Sequence, residues 1–300
     1  MKKKNPALGI ILVLTAGVLW GFSGFFVNIL KADPYGVTKP QISVMRLGFT
    51  FVIMALWALI FRRDVFVTKK RCIKYYIGCG LGMVGSSLFY FYAIGMTSMA
   101  VAAVLMYTAP IIVVVLSIFI FREHLTLLKS VCCIASFAGA ALASGIVGGV
   151  ESLSIPGLLL GCAAGFSYAM YSIFSSVALS RKAKPLSITV YAFGFATLAI
   201  LPFGELPSLA DKISVNPEIV LIALGQALVS CLVPYVLYTI GLKFTSASNA
   251  SIMSTVELVA AAVIGFVAFE ENPGIFGVIG MVLVIGSVVM LNVKIPHKDK

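Results

Sequence analysis

Apolar residues run in long blocks along this chain, separated by short polar breaks. Ten blocks read as helices that cross a bilayer: 7–30, 40–61, 75–95, 100–121, 128–147, 156–179, 186–202, 217–242, 247–269 and 274–292. A helix needs about 20 apolar residues to cover roughly 30 Å of hydrocarbon. The blocks are continuously apolar and do not alternate with period two, which excludes an outer-membrane barrel. The seventh block is the weakest, because Pro202 closes it early and a polar connection follows. That connection, Phe203 to Asn216, holds Glu205 and Asp211 and is expected to carry a short surface helix.

Five blocks fall in 6–145 and five in 155–292, and distinctive residues recur at an offset of 148. Gly9 and Ala16-Gly17 correspond to Gly157 and Ala164-Gly165, Thr97-Ser98 to Thr245-Ser246, and Phe121 and Glu123 to Phe269 and Glu271. The chain therefore divides into two copies of one unit, 1–150 and 151–300, with the joint at Gly148 to Ser154. A unit with an odd number of crossings delivers its successor to the opposite side of the membrane. The predicted architecture is an all-α membrane protein of ten transmembrane helices, arranged as two inverted five-helix repeats around a central cavity. Secondary transporters are typically built this way.

Composition agrees with the pattern: 60% of residues are hydrophobic, 11% are charged, and the mean hydropathy is +1.07. Soluble domains carry about 25% charge. A net charge of +11 would suggest a nucleic-acid partner in a soluble protein, so its placement decides its meaning. With the N-terminus cytoplasmic, 18 of the 22 Lys and Arg residues fall on the cytoplasmic side, Lys31, Lys39 and Lys212 on the other, and Arg46 inside the second span. This bias predicts both termini in the cytoplasm and an inner (plasma) membrane location, with no nucleic-acid partner. Lys2-Lys3-Lys4 before an apolar run imitates a secretory signal, but the run exceeds signal length and is expected to be a retained first span. The six cysteines show no CxxC spacing and no Cys/His cluster, so reduced structural thiols are expected, with no metal and no cofactor. Glycines at helix-packing spacing, such as Gly17, Gly21 and Gly24 or Gly157, Gly161 and Gly165, read mainly as close-packing faces.

Candidate chemistry lies inside the spans. Glu257 sits near the middle of the ninth, where an unpaired acid costs roughly 2.5–3.5 kcal/mol on insertion scales. It should face a cavity or a partner, and substrate contact, proton coupling and a structural hydrogen bond are all open to it. Helical spacing puts Asn249, Met253, Glu257 and Ala261 on one stripe. Arg46 is the other intramembrane charge, either snorkelling to the interface, pairing with a carboxylate or forming a site for an anionic substrate group. Aromatic and polar residues suited to lining a cavity are Trp20 and Ser23, the run Phe89 to Tyr92 that includes Tyr90, then Tyr107, and Gln226, Ser230, Tyr235 and Tyr238. Pro110 frees a backbone carbonyl near mid-membrane. Glu123 and Glu271 stand beside helix-start signals, where capping and interface placement are the expected reading and a gating contact the alternative.

Taken together, these features resemble the drug/metabolite transporter superfamily, in particular the EamA-like bacterial permeases. The resemblance rests on Ala16-Gly17-Val18-Leu19-Trp20-Gly21, Arg46, Thr97-Ser98 with Ala102-Ala103, Tyr107-Thr108-Ala109-Pro110 and Phe121-Arg122-Glu123. In the second copy it rests on Thr245-Ser246-Ala247 and Phe269-Glu270-Glu271. It implies a basket of helices whose cavity is lined by spans one, three, four, six, eight and nine, exporting amino acids or other small metabolites by alternating access. The chain departs from the family where Glu257-Leu258 replaces the usual Glu-Pro, so a proline break is expected only in the first copy.

The functional expectation is a secondary exporter of a small organic metabolite such as an amino acid, with proton coupling as an option. Its partners would be that solute and the bilayer, with monomer and homodimer both open. A membrane-embedded enzyme is the alternative and would need convergent catalytic groups; a channel would want a ring of charge. No GxxxxGK[ST] loop suggests ATP.

Overall fold

The computed structural model describes residues 6–145 and 154–292. The first span is α1 (Pro6–Gly21) continued, after Phe22, by α2 (Ser23–Lys31). The next two are α3 (Lys39–Phe61) and α4 (Lys70–Met96). The fourth is divided into α5 (Met99–Met106) and α6 (Ala109–Phe121), and α7 (Leu127–Ala143) follows. The second half runs through α8 (Ile155–Ser180), α9 (Pro185–Ile200) and the expected surface helix α10 (Leu206–Val215). Then come α11 (Glu218–Gln226) and α12 (Val233–Gly241), α13 (Ala247–Ser254) and α14 (Val256–Phe269), and α15 (Gly274–Asn292).

Nine helical stretches among the described residues are long and apolar enough to cross a membrane, which makes this a multi-pass membrane protein. The fifth predicted span, 128–147, is shorter than expected: α7 has 17 residues and ends before Gly145, which takes a left-handed φ of +79°. Residues 146–147 lie outside the described residues. So do most of the joint (148–153), His297 and the terminal lysines Lys2, Lys3, Lys4, Lys294, Lys298 and Lys300.

Several spans are interrupted, each for a local chemical reason. Between α5 and α6 the hydroxyl of Thr108 donates to the Leu105 carbonyl (2.7 Å), and Pro110 opens the next helix. The second copy breaks at the corresponding place without a proline. Thr255 Oγ1 donates to the Ile252 carbonyl (2.7 Å) and separates α13 from α14. The proline break is confined to the first copy, as expected, but the second copy is broken as well: a threonine hydroxyl competing for the i−3 carbonyl suffices. In the eighth span, Pro234 lacks an N–H and its ring would crowd the carbonyl of Ser230. The backbone widens into a π-turn over Ala227–Leu232, joining α11 to α12.

Glycines set the close helix crossings. α4 lies along α8, with Gly82 against the Ser167 carbonyl, and α1 lies along α12, with Gly241 against Val13. These two helix pairings interchange when residues are moved by 148, and so do the following glycine contacts. A methyl group added to Gly9 would meet Phe244 and Thr245, and one on Gly157 would meet Met96 and Thr97. Gly17 likewise lies against Ser254 and Val256, and Gly165 against Met106 and Thr108. Since lipid tails are as apolar as side chains, such backbone approach takes the place of apolar burial in driving association. Gly24 is an exception, with nothing within 4 Å of an added methyl.

Contacts between loops sort the chain into two ends. At one, Lys184 Nζ donates to Asp64 Oδ2 (2.8 Å), Tyr191 donates to the Phe66 carbonyl (3.0 Å), and the Arg181 guanidinium lies 4.9 Å from the Tyr75 ring centre. The hydrogen bond from Arg62, followed by that from Lys184, holds the Asp64 carboxyl below the usual carboxylate range. At the other end, Lys212 Nζ donates to the Gly36 carbonyl (2.7 Å) and to Gln41 Oε1 (3.0 Å), docking α10 beside the start of α3.

Candidate functional site

A cavity of about 600 Å³ occupies the centre of the bundle and extends to Lys31, Lys39 and Glu271 at the Lys212 end. None of its lining residues comes from the Asp64 end. All six spans implied by the sequence resemblance contribute: Trp20, Tyr90, Tyr107, Tyr168, Tyr235 and Glu257 stand on the first, third, fourth, sixth, eighth and ninth. The second span adds Ser43 and Arg46.

Arg46 is placed by α3. One turn on, the Thr50 hydroxyl donates to the Arg46 carbonyl (2.6 Å) and lies 3.2 Å from the Ala227 carbonyl, fixing α3 against the π-turn. Arg46 Nη2 donates to Ser87 Oγ (3.1 Å) on α4, and Ser87 in turn donates to the Met83 carbonyl (3.2 Å). The buried Arg46 Nε has no partner among the described residues. Arg46 therefore faces the cavity, held by a serine, and no carboxylate among the described residues lies at ion-pair distance from it.

Glu257 projects from the first turn of α14, immediately after the Thr255 break. Its Oε2 accepts a hydrogen bond from the Tyr168 hydroxyl (3.2 Å) on α8. Among the described residues no Lys or Arg lies within ion-pair distance of it. Arg46 and Glu257 thus both face the cavity without forming an ion pair with each other. Its aromatic wall is tightly braced: Trp20 packs edge-on to Tyr235 with ring centres 5.0 Å apart, and Tyr235 meets Tyr171 at 4.9 Å.

The remaining sequence candidates lie elsewhere. Tyr238 is buried behind the wall, 2.7 Å from Ser172 Oγ and beside a small void of about 10 Å³ shared with Trp20 and Tyr168. Met253 is fully buried and Asn249 does not line the cavity. The helical stripe predicted from Asn249 to Ala261 fails because the break at Thr255 resets the rotation between α13 and α14, leaving only Glu257 and Ala261 on the cavity. In the run Phe89 to Tyr92, Tyr90 and Phe91 line the cavity, whereas Phe89 and Tyr92 are exposed on the outside. Tyr168 and Ser87, the direct partners of the two charges, were missed by the sequence reading. A lone tyrosine and a lone serine in apolar runs carry no signal until the fold brings Glu257 and Arg46 beside them.

The repeated glutamates differ from their expected capping role. Thr126 caps α7 by accepting from the Lys129 amide, and at the start of α15 Asn272 Oδ1 accepts from the Gly274 amide. Glu123 instead accepts from Lys129 Nζ (3.0 Å) and from Ser248, while Lys129 also reaches Ser248 Oγ (2.9 Å). This cluster ties the ends of the fourth and fifth spans to the start of the ninth. Glu271, the counterpart in the second copy, lines the cavity.

A family model described as "EamA-like transporter family" matches the chain twice, over residues 7–145 and 155–293. The chain belongs to the EamA-like transporter family. An "uncharacterized transporter" of Archaeoglobus fulgidus is 28% identical, with 93% of this chain and 94% of that protein covered. The "uncharacterized transporter YxxF" of Bacillus subtilis is 22% identical over 98% of this chain and 92% of its own length. A solved crystal structure shares the fold with a TM-score of 0.77, covering 95% of this chain and 96% of its own at 20% identity. A transporter role follows from membership in this EamA-like family.

Proposed function

We propose that this protein is a secondary exporter of a small organic metabolite such as an amino acid, working by alternating access in the inner membrane. In this reading ten transmembrane helices form two inverted five-helix repeats, 1–150 and 151–300, with both termini cytoplasmic. Trp20, Tyr90, Tyr107 and Tyr235 contact the solute, together with Arg46 and Glu257; Glu257 also carries the coupling proton. No chemical step on the solute is required.

The observation that carries the proposal is an unpaired acid and an unpaired arginine facing one cavity that reaches a single end of the bundle. Intramembrane charges are kept at a cost and are typically placed on a transport path. The inverted arrangement is supported by the glycine contacts, which interchange under the 148-residue offset. The end holding Asp64 also gathers Arg62, Arg63, Lys74, Arg181 and Lys184, as a cytoplasmic face should.

On this reading the described state opens outward and is closed inward by the Glu123, Lys129 and Ser248 cluster. Lys129 and Glu123 retain only 13% and 17% side-chain exposure, so the pair is largely shielded from water. Hydrogen bonds to charged groups contribute about 1.5–3 kcal/mol. Lys129→Met should shift the balance between outward and inward states roughly five- to thirty-fold, the effect of one or two kcal/mol. A reporter cysteine at Ser43 in a background lacking the native cysteines would read this shift. Labelling from outside by a membrane-impermeant thiol reagent should fall, and unchanged labelling would remove the cluster from gating.

The transport proposal is tested by scanning a metabolite panel in cells lacking or overproducing the protein, then reconstituting it in vesicles. Altered export of one solute class, reproduced in vesicles, is the expected result. If no solute moves under any imposed gradient, the exporter reading fails.

A further inference from the structure

Four residues on one side of the cavity have polar atoms that are buried without a partner among the described residues: Trp20 Nε1, Arg46 Nε, Gln226 Nε2 and Oε1, and Ser230 Oγ. All four residues line the cavity. Gln226 and Ser230 are 0% and 1% exposed, so neither group is satisfied by bulk water. Leaving a buried donor or acceptor unpaired costs free energy each time, and five of the eight such atoms among the described residues belong to residues that line this cavity. The cluster also has a local architecture. Gln226 ends α11 and Ser230 lies in the π-turn forced by Pro234, while Thr50 clamps the Arg46 turn onto Ala227. Single π-turns of this kind often sit at functional sites.

The chemistry of the cluster is specific. Arg46, Trp20 and the Gln226 amide nitrogen offer donors, one of them charged, which suits a carboxylate. Gln226 Oε1 is different, because it can only accept. A side-chain amide with both ends free matches a ligand group that places a donor beside an acceptor. A carboxylate with an ammonium or hydroxyl on the adjacent carbon has that pattern: one oxygen takes the amide N–H while the α-substituent donates to the amide oxygen. The matching position in the first copy is Gly78, which is packed against Phe174, so the amide exists in one half only.

We propose that Gln226, with Arg46 and Ser230, forms the head-group subsite of the transporter and selects α-amino or α-hydroxy carboxylates over carboxylates that lack an α-donor. This rests on the exporter reading above and assigns the solute head to spans two and eight, leaving Glu257 and Tyr168 free for the proton. Gln226 is then a specificity-determining residue, and its role is separable from that of Arg46.

The test measures binding to purified full-length protein in nanodiscs. Its probes are matched triplets that share one side chain and carry an α-ammonium, an α-hydroxyl or only hydrogen beside the carboxylate. Norleucine, 2-hydroxyhexanoate and hexanoate form one triplet; phenylalanine, phenyllactate and phenylpropionate form another. The wild-type protein should favour the α-substituted members of at least one triplet by about tenfold, the usual effect of stranding a buried polar group. Gln226→Leu should reduce that preference to about twofold or less; the unsubstituted acid, which gives up only the amide N–H, should lose less affinity than the α-substituted members. Gln226→Glu keeps an acceptor in a similar volume, so it guards against a misfolded Leu variant. It should favour the α-ammonium member over the α-hydroxyl member more strongly than the wild type does. Preserved α-selectivity in both variants overturns the proposal, as does failure of every triplet to bind while some other solute is transported. That last result leaves the exporter reading intact, whereas absence of transport for all solutes removes both.

Discussion

Glu257→Gln should uncouple this transporter from the pH gradient. In vesicles carrying the wild-type protein, each pH unit imposed across the membrane is worth about 1.4 kcal/mol per coupled proton, a tenfold change in the solute ratio at equilibrium. The glutamine variant keeps the side-chain volume and can still accept a hydrogen bond from Tyr168, but it has no titrating group. Solute exchange down its own gradient should continue, while the tenfold response to pH disappears. The geometry favours a proton over a structural role because Glu257 has one neutral donor, Tyr168, and no cation at ion-pair distance among the described residues. An acid retained only for packing would be expected to have its lone pairs satisfied on all sides. A variant that still concentrates solute with the wild-type pH response would show that the proton travels elsewhere. Tyr168→Phe gives an independent check, since it removes the sole donor to Glu257 and leaves the charge. It should move the pH midpoint of transport without abolishing coupling.

Much of this arrangement was legible in the sequence because a bilayer imposes simple rules. Apolar blocks of the right length, the 148-residue repeat and the two intramembrane charges required no knowledge of packing. One cause of the misses is helix irregularity. Asn249 and Met253 were grouped with Glu257 by a 3.6-residue period that the backbone does not keep through Thr255. The break there had no visible trigger, because proline was the expected signal and a threonine hydroxyl produced the same result. Tyr238 illustrates a second limit. Its sequence signature equals that of Tyr235, yet Tyr235 lines the cavity and Tyr238 turns away to Ser172. Conversely, Gln226 and Ser230 stood out only as polar residues in an apolar span. Their importance emerges from what they lack, which requires a full account of hydrogen bonds.

The largest effect on assembly is expected at the glycines that let the helix breaks be approached closely. A methyl group on Gly165 would lie 2.6 Å from both the Leu105 carbonyl oxygen and Thr108 Oγ1; one on Gly17 would lie 2.6 Å from a Val256 methyl and 3.1 Å from the Ser254 carbonyl oxygen. A flexible side chain can swing aside, but the carbonyls belong to the backbone at the α5/α6 and α13/α14 breaks and cannot yield without moving the span. Overpacking in a well-packed core costs roughly 1–3 kcal/mol, and a branched side chain against fixed backbone belongs at the upper end. Gly165→Val should therefore lower the yield of monodisperse protein and its melting temperature sharply. Gly17→Val should do the same to a somewhat smaller degree, because part of its obstruction is a side chain. Gly286→Ala is the control. An added methyl there has no atom within 4 Å, and a helical alanine in place of glycine gains roughly 0.5–1 kcal/mol of backbone entropy. If Gly165→Val folds and melts like the wild type, the close approach at the fourth span is dispensable, and with it the idea that paired glycines hold the two breaks at the edge of the cavity. If both valine variants fail together, the two halves depend on the same crossing. Glu257 and Tyr107, which flank those breaks, then owe their positions to residues with no side chain at all.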